Sequence, residues 1–86
     1  MLVSFHKNFE KKFEKLPAKT QKQFYKKLEL FLSNPFHKSL NNHPLHGEFE
    51  DSRSINITGD TRAIYRIIDE NNVLFVTIAS HSELYD

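Results

Sequence analysis

Residues 52–79 read SRSINITGDTRAIYRIIDENNVLFVTIA, and their division into three β-type runs decides the fold class. Within 52–58, Ile55 and Ile57 fall on one face and Ser54 and Asn56 on the other, the two-residue alternation of a half-buried strand. Gly59-Asp60 is a turn signal. The next run, 61–68, holds Ile64, Tyr65, Ile67 and Ile68, all β-favouring types. Asp69-Glu70-Asn71-Asn72 marks a second turn. The last run, 73–79, is almost continuously apolar, long enough for a central strand and short for a helix. Three strands in succession with short turns predict an antiparallel meander.

Upstream the period changes. Leu2, Val3 and Phe5 form a short β-type opening. Phe9, Phe13 and Leu16 then recur at helical spacing, with Lys7, Lys11, Lys12 and Lys15 between them. Pro17 ends that helix or opens the next. From Ala18 a second helix carries Phe24, Leu28, Phe31 and Leu32 on its apolar face, and Asn34-Pro35 ends it. Residues 36–52 read as loop, broken by Pro44 and Gly47, and the tail from Ser80 is polar with a closing Tyr85. The pattern is β-α-α-β-β-β. It predicts a single α+β domain over 1–86, with both N-terminal helices packed on one face of a small, mainly antiparallel twisted sheet. The other face is left partly open and is a natural place for a site.

Composition narrows the function classes. The 86 residues contain no cysteine, so disulfides, Cys-based zinc sites and thiol nucleophiles are excluded. No apolar run approaches the roughly 20 residues of a membrane helix, and the start has no signal-peptide pattern, so a cytoplasmic protein without membrane association is expected. The formal net charge is +1. It conceals a split: residues 1–38 carry nine Lys against three Glu, and residues 39–86 three Arg against eight acids. A basic helical half raises the prospect of a nucleic-acid surface at Lys19, Lys22, Lys26 and Lys27, although a solvated helix face has the same composition.

The residues suited to chemistry lie in the second half. His43, His46 and His81 can move protons near neutral pH, and Arg53, Arg62 and Arg66 offer forks for phosphate oxygens. With Asp60 they make up a parts list for phosphodiester cleavage: a base for the 2′-hydroxyl, cations for the transition state and an acid for the leaving oxygen. Each has a plainer reading. The loop histidines can be ordinary surface residues, Asp60 a turn residue after Gly59, and the arginines partners of local acids. Tyr65 and Phe75 read as core. Tyr85 can stack on a base or pack back on the sheet. A metal site from His43, His46 and His81 lacks a helix to fix the pair and a carboxylate at ligand spacing.

The runs His43-Pro44-Leu45-His46-Gly47, Arg53-Ser54-Ile55-Asn56-Ile57, Asp60, Ala63-Ile64-Tyr65-Arg66 and His81-Ser82-Glu83-Leu84-Tyr85 together resemble the RelE superfamily of bacterial toxins, the YafQ branch most of all. The resemblance extends over nearly the whole chain. It implies the toxin of a type II toxin–antitoxin pair: a bacterial, ribosome-dependent endoribonuclease that cuts messenger RNA by metal-independent 2′-hydroxyl attack, needs no cofactor, and is restrained by a cognate antitoxin through which the complex binds operator DNA. By position it makes His43, Asp60, His81 and Tyr85 the active-site set and Arg53 a phosphate contact. His81 moves a proton with His43 or Asp60 as partner. Two positions depart from the pattern: Asn56 stands where YafQ-like proteins commonly carry histidine, and Thr61 where they carry a bulky residue, often Trp. Asparagine can hydrogen-bond substrate but cannot shuttle a proton, which leaves more to Arg62. Two other functions share this architecture: a ParE-like gyrase inhibitor, and a degenerate module that only binds antitoxin or RNA.

Overall fold

All three β-type runs become strands in the computed structural model, which describes residues 1–85, with side chains through Leu84. The expected role of the Tyr85 ring lies outside the described residues. The elements are β1 (Leu2–Phe5), α1 (Lys7–Glu14), α2 (Ala18–Ser33), β2 (His43–Pro44), β3 (Ser52–Asn56), β4 (Thr61–Asp69), β5 (Asn72–Ser80) and α3 (His81–Tyr85). Single 3-10 turns at Lys38–Leu40 and Gly47–Phe49 flank β2.

The strands lie in the order β1-β5-β4-β3-β2. The meander β3-β4-β5 is antiparallel, and the helical hairpin carries the chain across so that β1 lies parallel to β5. The short edge strand β2 and the terminal α3 go beyond the β-α-α-β-β-β pattern. A two-residue strand shows no period. The start of α3 is marked by Ser80-x-x-Glu83, a capping box.

Both helices cover one face, and the core between them and the sheet is aromatic. Phe9, Phe24, Phe31 and Phe75 are buried. Phe75 lies 5.6 Å from Phe24, 5.8 Å from Phe31 and 5.6 Å from Tyr65, ring centre to ring centre. Tilted and edge-on packing of this kind suits the ring quadrupole. Leu32, expected on the buried face of α2, is 44% exposed. At about 100° per residue it sits about 80° around the helix from Phe24, at the margin of the sheet-facing stripe.

Strand alternation sends a different set to the other face. His43, Ser54, Ile64 and Thr77 form one cross-strand row, and Asn56, Arg62 and Ala79 another. The hydroxyl oxygens of Ser54 and Thr77 and the Oδ1 of Asn56 are buried and have no hydrogen-bond partner among the described residues. The floor of the open face therefore sets unpartnered polar atoms of Ser54, Asn56 and Thr77 beside buried Ile64 and Ala79, an arrangement that costs stability unless something uses it.

Candidate active site

His43 sits on β2 after a left-handed residue, Asn41 (φ 45°), a conformation asparagine tolerates better than most side chains. This bend places the Asn41 carbonyl 2.7 Å from His43 Nδ1. A carbonyl only accepts, so Nδ1 carries the hydrogen in this bond and Nε2 is the ring nitrogen left for other partners. Gly47 closes the same loop at φ +70°, which explains the glycine of the H-x-L-x-G run.

The opposite wall comes from the β3–β4 turn. Thr58 carries no motif signal, yet it organises this turn. Its Oγ1 accepts from the backbone N–H of Asp60 and Thr61, and its carbonyl accepts from Arg62 Nη1 at 3.1 Å. The Arg62 guanidinium also donates to the carbonyl of Gly59. The N–H of His81 donates to the Asp60 carbonyl at 2.7 Å, tying the start of α3 to the turn. A local Asx/ST-type turn thus sets Arg62 and His81 together.

His43, Arg62 and His81 line one depression of about 340 Å³ with Asn41 and Leu45. Two hollows continue it along the open face, the first sharing His43 and Leu45, the second reached past Phe49 and Leu84 to Arg66 and Thr77. The other expected site residues fall elsewhere. Asp60 is exposed in the turn, and its backbone carbonyl accepts the N–H of His81. Arg53 faces the helix side, where Nε donates to Asn42 Oδ1 at 2.7 Å and the guanidinium lies over Phe36. Asn56 shares its row with Arg62. Lys19, Lys22 and Lys26 are exposed on α2 and Lys27 is half-buried. Lys19 reaches the hollow beside Thr58, so the basic helix begins next to the turn that carries Arg62. Among the described residues, no three His, Cys, Asp or Glu side chains gather closely enough to hold a metal ion.

The position of His81 depends on the capping box. Ser80 donates its N–H and its hydroxyl to Glu83 Oε1, and Glu83 N–H donates to Ser80 Oγ. The Ser80 N–H first, then its hydroxyl and the charge of Lys12, hold the Glu83 carboxyl below its ordinary value. A lowered folded value means the box is intact above the unfolded carboxylate range and fades as pH falls through the folded value. Glu83→Ala is therefore expected to speed amide exchange at residues 81–84 at neutral pH, and acidifying the wild type to do the same. Exchange that ignores both changes would show that the box does not hold α3.

Comparisons with known proteins bear on the fold and the family. No curated protein matches. In solved structures, YafQ from E. coli strain BL21(DE3) superposes with a TM-score of 0.82 at 16% identity, over 99% of this chain and 98% of that one. YafQ in the E. coli DinJ–YafQ complex gives 0.73 at 16%, over 99% and 98%. A metal-bound toxin from Helicobacter pylori gives 0.75 at 29%, over 99% and 100%. The family model for YafQ, the bacterial toxin of a type II toxin–antitoxin system, matches residues 1–86. A two-helix cover, an open polar sheet face and this match along the full length lead to one assignment: the chain belongs to the YafQ family of type II toxin–antitoxin toxins.

Proposed function

We propose that residues 1–86 act as one cytoplasmic ribosome-dependent endoribonuclease domain that cleaves messenger RNA, and that a cognate antitoxin restrains it and carries the complex to operator DNA. The observation behind this reading is the convergence of His43, Arg62 and His81 on one depression. His43 Nε2 takes the proton of a 2′-hydroxyl, whose oxygen bonds to the adjacent phosphorus. Arg62 stabilises charge on the phosphoryl oxygens with the donors its turn leaves unused. His81, as imidazolium, gives a proton to the departing 5′-oxygen. The products are a cyclic phosphate and a 5′-hydroxyl, and the chemistry needs no metal. Asp60 acts through its backbone, by holding His81. The DinJ–YafQ complex supports an antitoxin partner. Expression without antitoxin should stop bacterial growth and leave cut messages on translating ribosomes. Continued growth with intact messages would refute the proposal.

The uncharged floor of Ser54, Asn56 and Thr77 favours a second reading, a member that binds antitoxin or RNA without cutting. Ribosome binding without cleavage would select it. Under either ribosome-bound reading, the lysines of α2 meet ribosomal RNA phosphates. Converting Lys19, Lys22 and Lys26 to Glu should weaken ribosome binding about tenfold or more at low salt and flatten its salt dependence. An unchanged affinity would make those lysines a solubility face.

A further inference from the structure

The helical half carries only three acids, Glu10, Glu14 and Glu29, among its nine lysines. Two of the three, Glu10 and Glu14, stand on the rim of one aromatic groove. Buried Phe9 and Phe24 form its floor, and Phe13, Phe5 (37% exposed) and Tyr25 (59% exposed) form its walls. None of these residues lines the His43–His81 depression.

Helix electrostatics account for only one of the two carboxylates: Glu10 lies in the first turn of α1, where the dipole favours an anion. The two are one helical turn apart on α1, where like charges repel. Glu14 is the last residue of α1, the end at which the helix dipole disfavours an anion. Neither makes an ion pair with a described residue, despite the lysines around them. The groove's volume, about 250 Å³, is below the roughly 300–1,000 Å³ of small-molecule sites and suits one large side chain. Exposed rings invite stacking by nucleobases, but two unpaired carboxylates at the mouth repel a polyanion. The same carboxylates attract a lysine or arginine beside an apolar anchor, which is a protein's chemistry.

We infer that this groove is an anchoring site for the cognate antitoxin, taking one aromatic or aliphatic side chain between Phe5 and Tyr25 with a neighbouring Lys or Arg on Glu10 and Glu14. The occupant is the antitoxin because a standing complex gains from covering exposed aromatic surface, whereas docking on a ribosome runs through the lysines. The anchor rests on the toxin–antitoxin reading above and leaves the depression itself unfilled.

The probe is the antitoxin encoded beside this gene, titrated against the full chain. Glu10→Lys with Glu14→Lys should weaken binding about tenfold or more, mostly through slower association at low salt. Tyr25→Ala should weaken it about tenfold, mostly through faster dissociation. Glu10→Gln with Glu14→Gln, which keeps the shape, should give an intermediate loss and shows that charge is responsible. Growth arrest by the variants without antitoxin should match the wild type. Full-strength antitoxin binding by the reversed variant would overturn the anchor, as would a gain in RNA binding with no loss of antitoxin binding. Absence of growth arrest in the wild type would instead refute the toxin reading and leave the binding comparison valid.

Discussion

His81→Ala is expected to slow cleavage of ribosome-bound message by about 10²–10⁴-fold, the usual contribution of a positioned proton donor. The start of α3 should stay in place, because the backbone anchor of His81 to Asp60 survives the substitution. His43→Ala should cost as much, with some added loosening because the ring no longer ties Nδ1 to the Asn41 carbonyl. The double variant should be little slower than either single one, since a base and an acid that serve one displacement act as a unit. Their pH profiles separate the roles. Loss of His43 should remove the limb that rises as the base deprotonates, and loss of His81 the limb that falls as the acid deprotonates. Unaltered cleavage by His81→Ala would end its assignment as the acid. Multiplicative losses would show that the two histidines serve different steps.

Much of this architecture is local physics and could be read from the chain. The alternation at Ile55 and Ile57 and the turn at Gly59-Asp60 specify β3 and β4 without reference to anything distant. Pro17 and Asn34-Pro35 bound α2 for equally local reasons. The same alternation fixes the face of Arg53: it shares parity with Ile55, so it points to the helix side with Tyr65, away from the open face that Asn56 and Arg62 share. The short helix after β5 was likewise written as Ser80-x-x-Glu83. What was not legible depends on long-range geometry. The parallel pairing of β1 with β5 follows from the path of a whole helical hairpin, and β2 is too short to show a period. The meeting of His43 with His81 needs a left-handed Asn41 on one side and the Thr58 turn on the other. Thr58 itself looks like any strand-end threonine until its oxygens are seen to hold the turn.

Phe75→Ala is expected to remove most of the stability of the fold. The ring is fully buried on the interior strand β5 and lies within 5.6–5.9 Å of Phe5, Phe9, Phe24, Phe31 and Tyr65. Truncation takes away the transfer energy of the ring and leaves a cavity that five other aromatic rings, each held by its own neighbours, can fill only in part. Such losses run to about 3–5 kcal/mol, against about 5–15 kcal/mol for a whole domain, and a chain this short lies toward the lower end. The midpoint of thermal unfolding should fall by on the order of 15–30 °C, or the variant should fail to fold at 37 °C. Phe75→Leu fills most of the volume and should cost about a third as much. Ile68→Ala, at a residue 56% exposed on β4, removes an apolar side chain of similar size and should change stability by no more than about 0.5 kcal/mol. Equal losses at Phe75 and Ile68 would mean that the aromatic layer is not the centre of the core. Since His43, Arg62 and His81 are aligned only by the sheet that this layer supports, the Phe75 variant should also lose cleavage in parallel with folded fraction, and added osmolyte that restores the fold should restore both together.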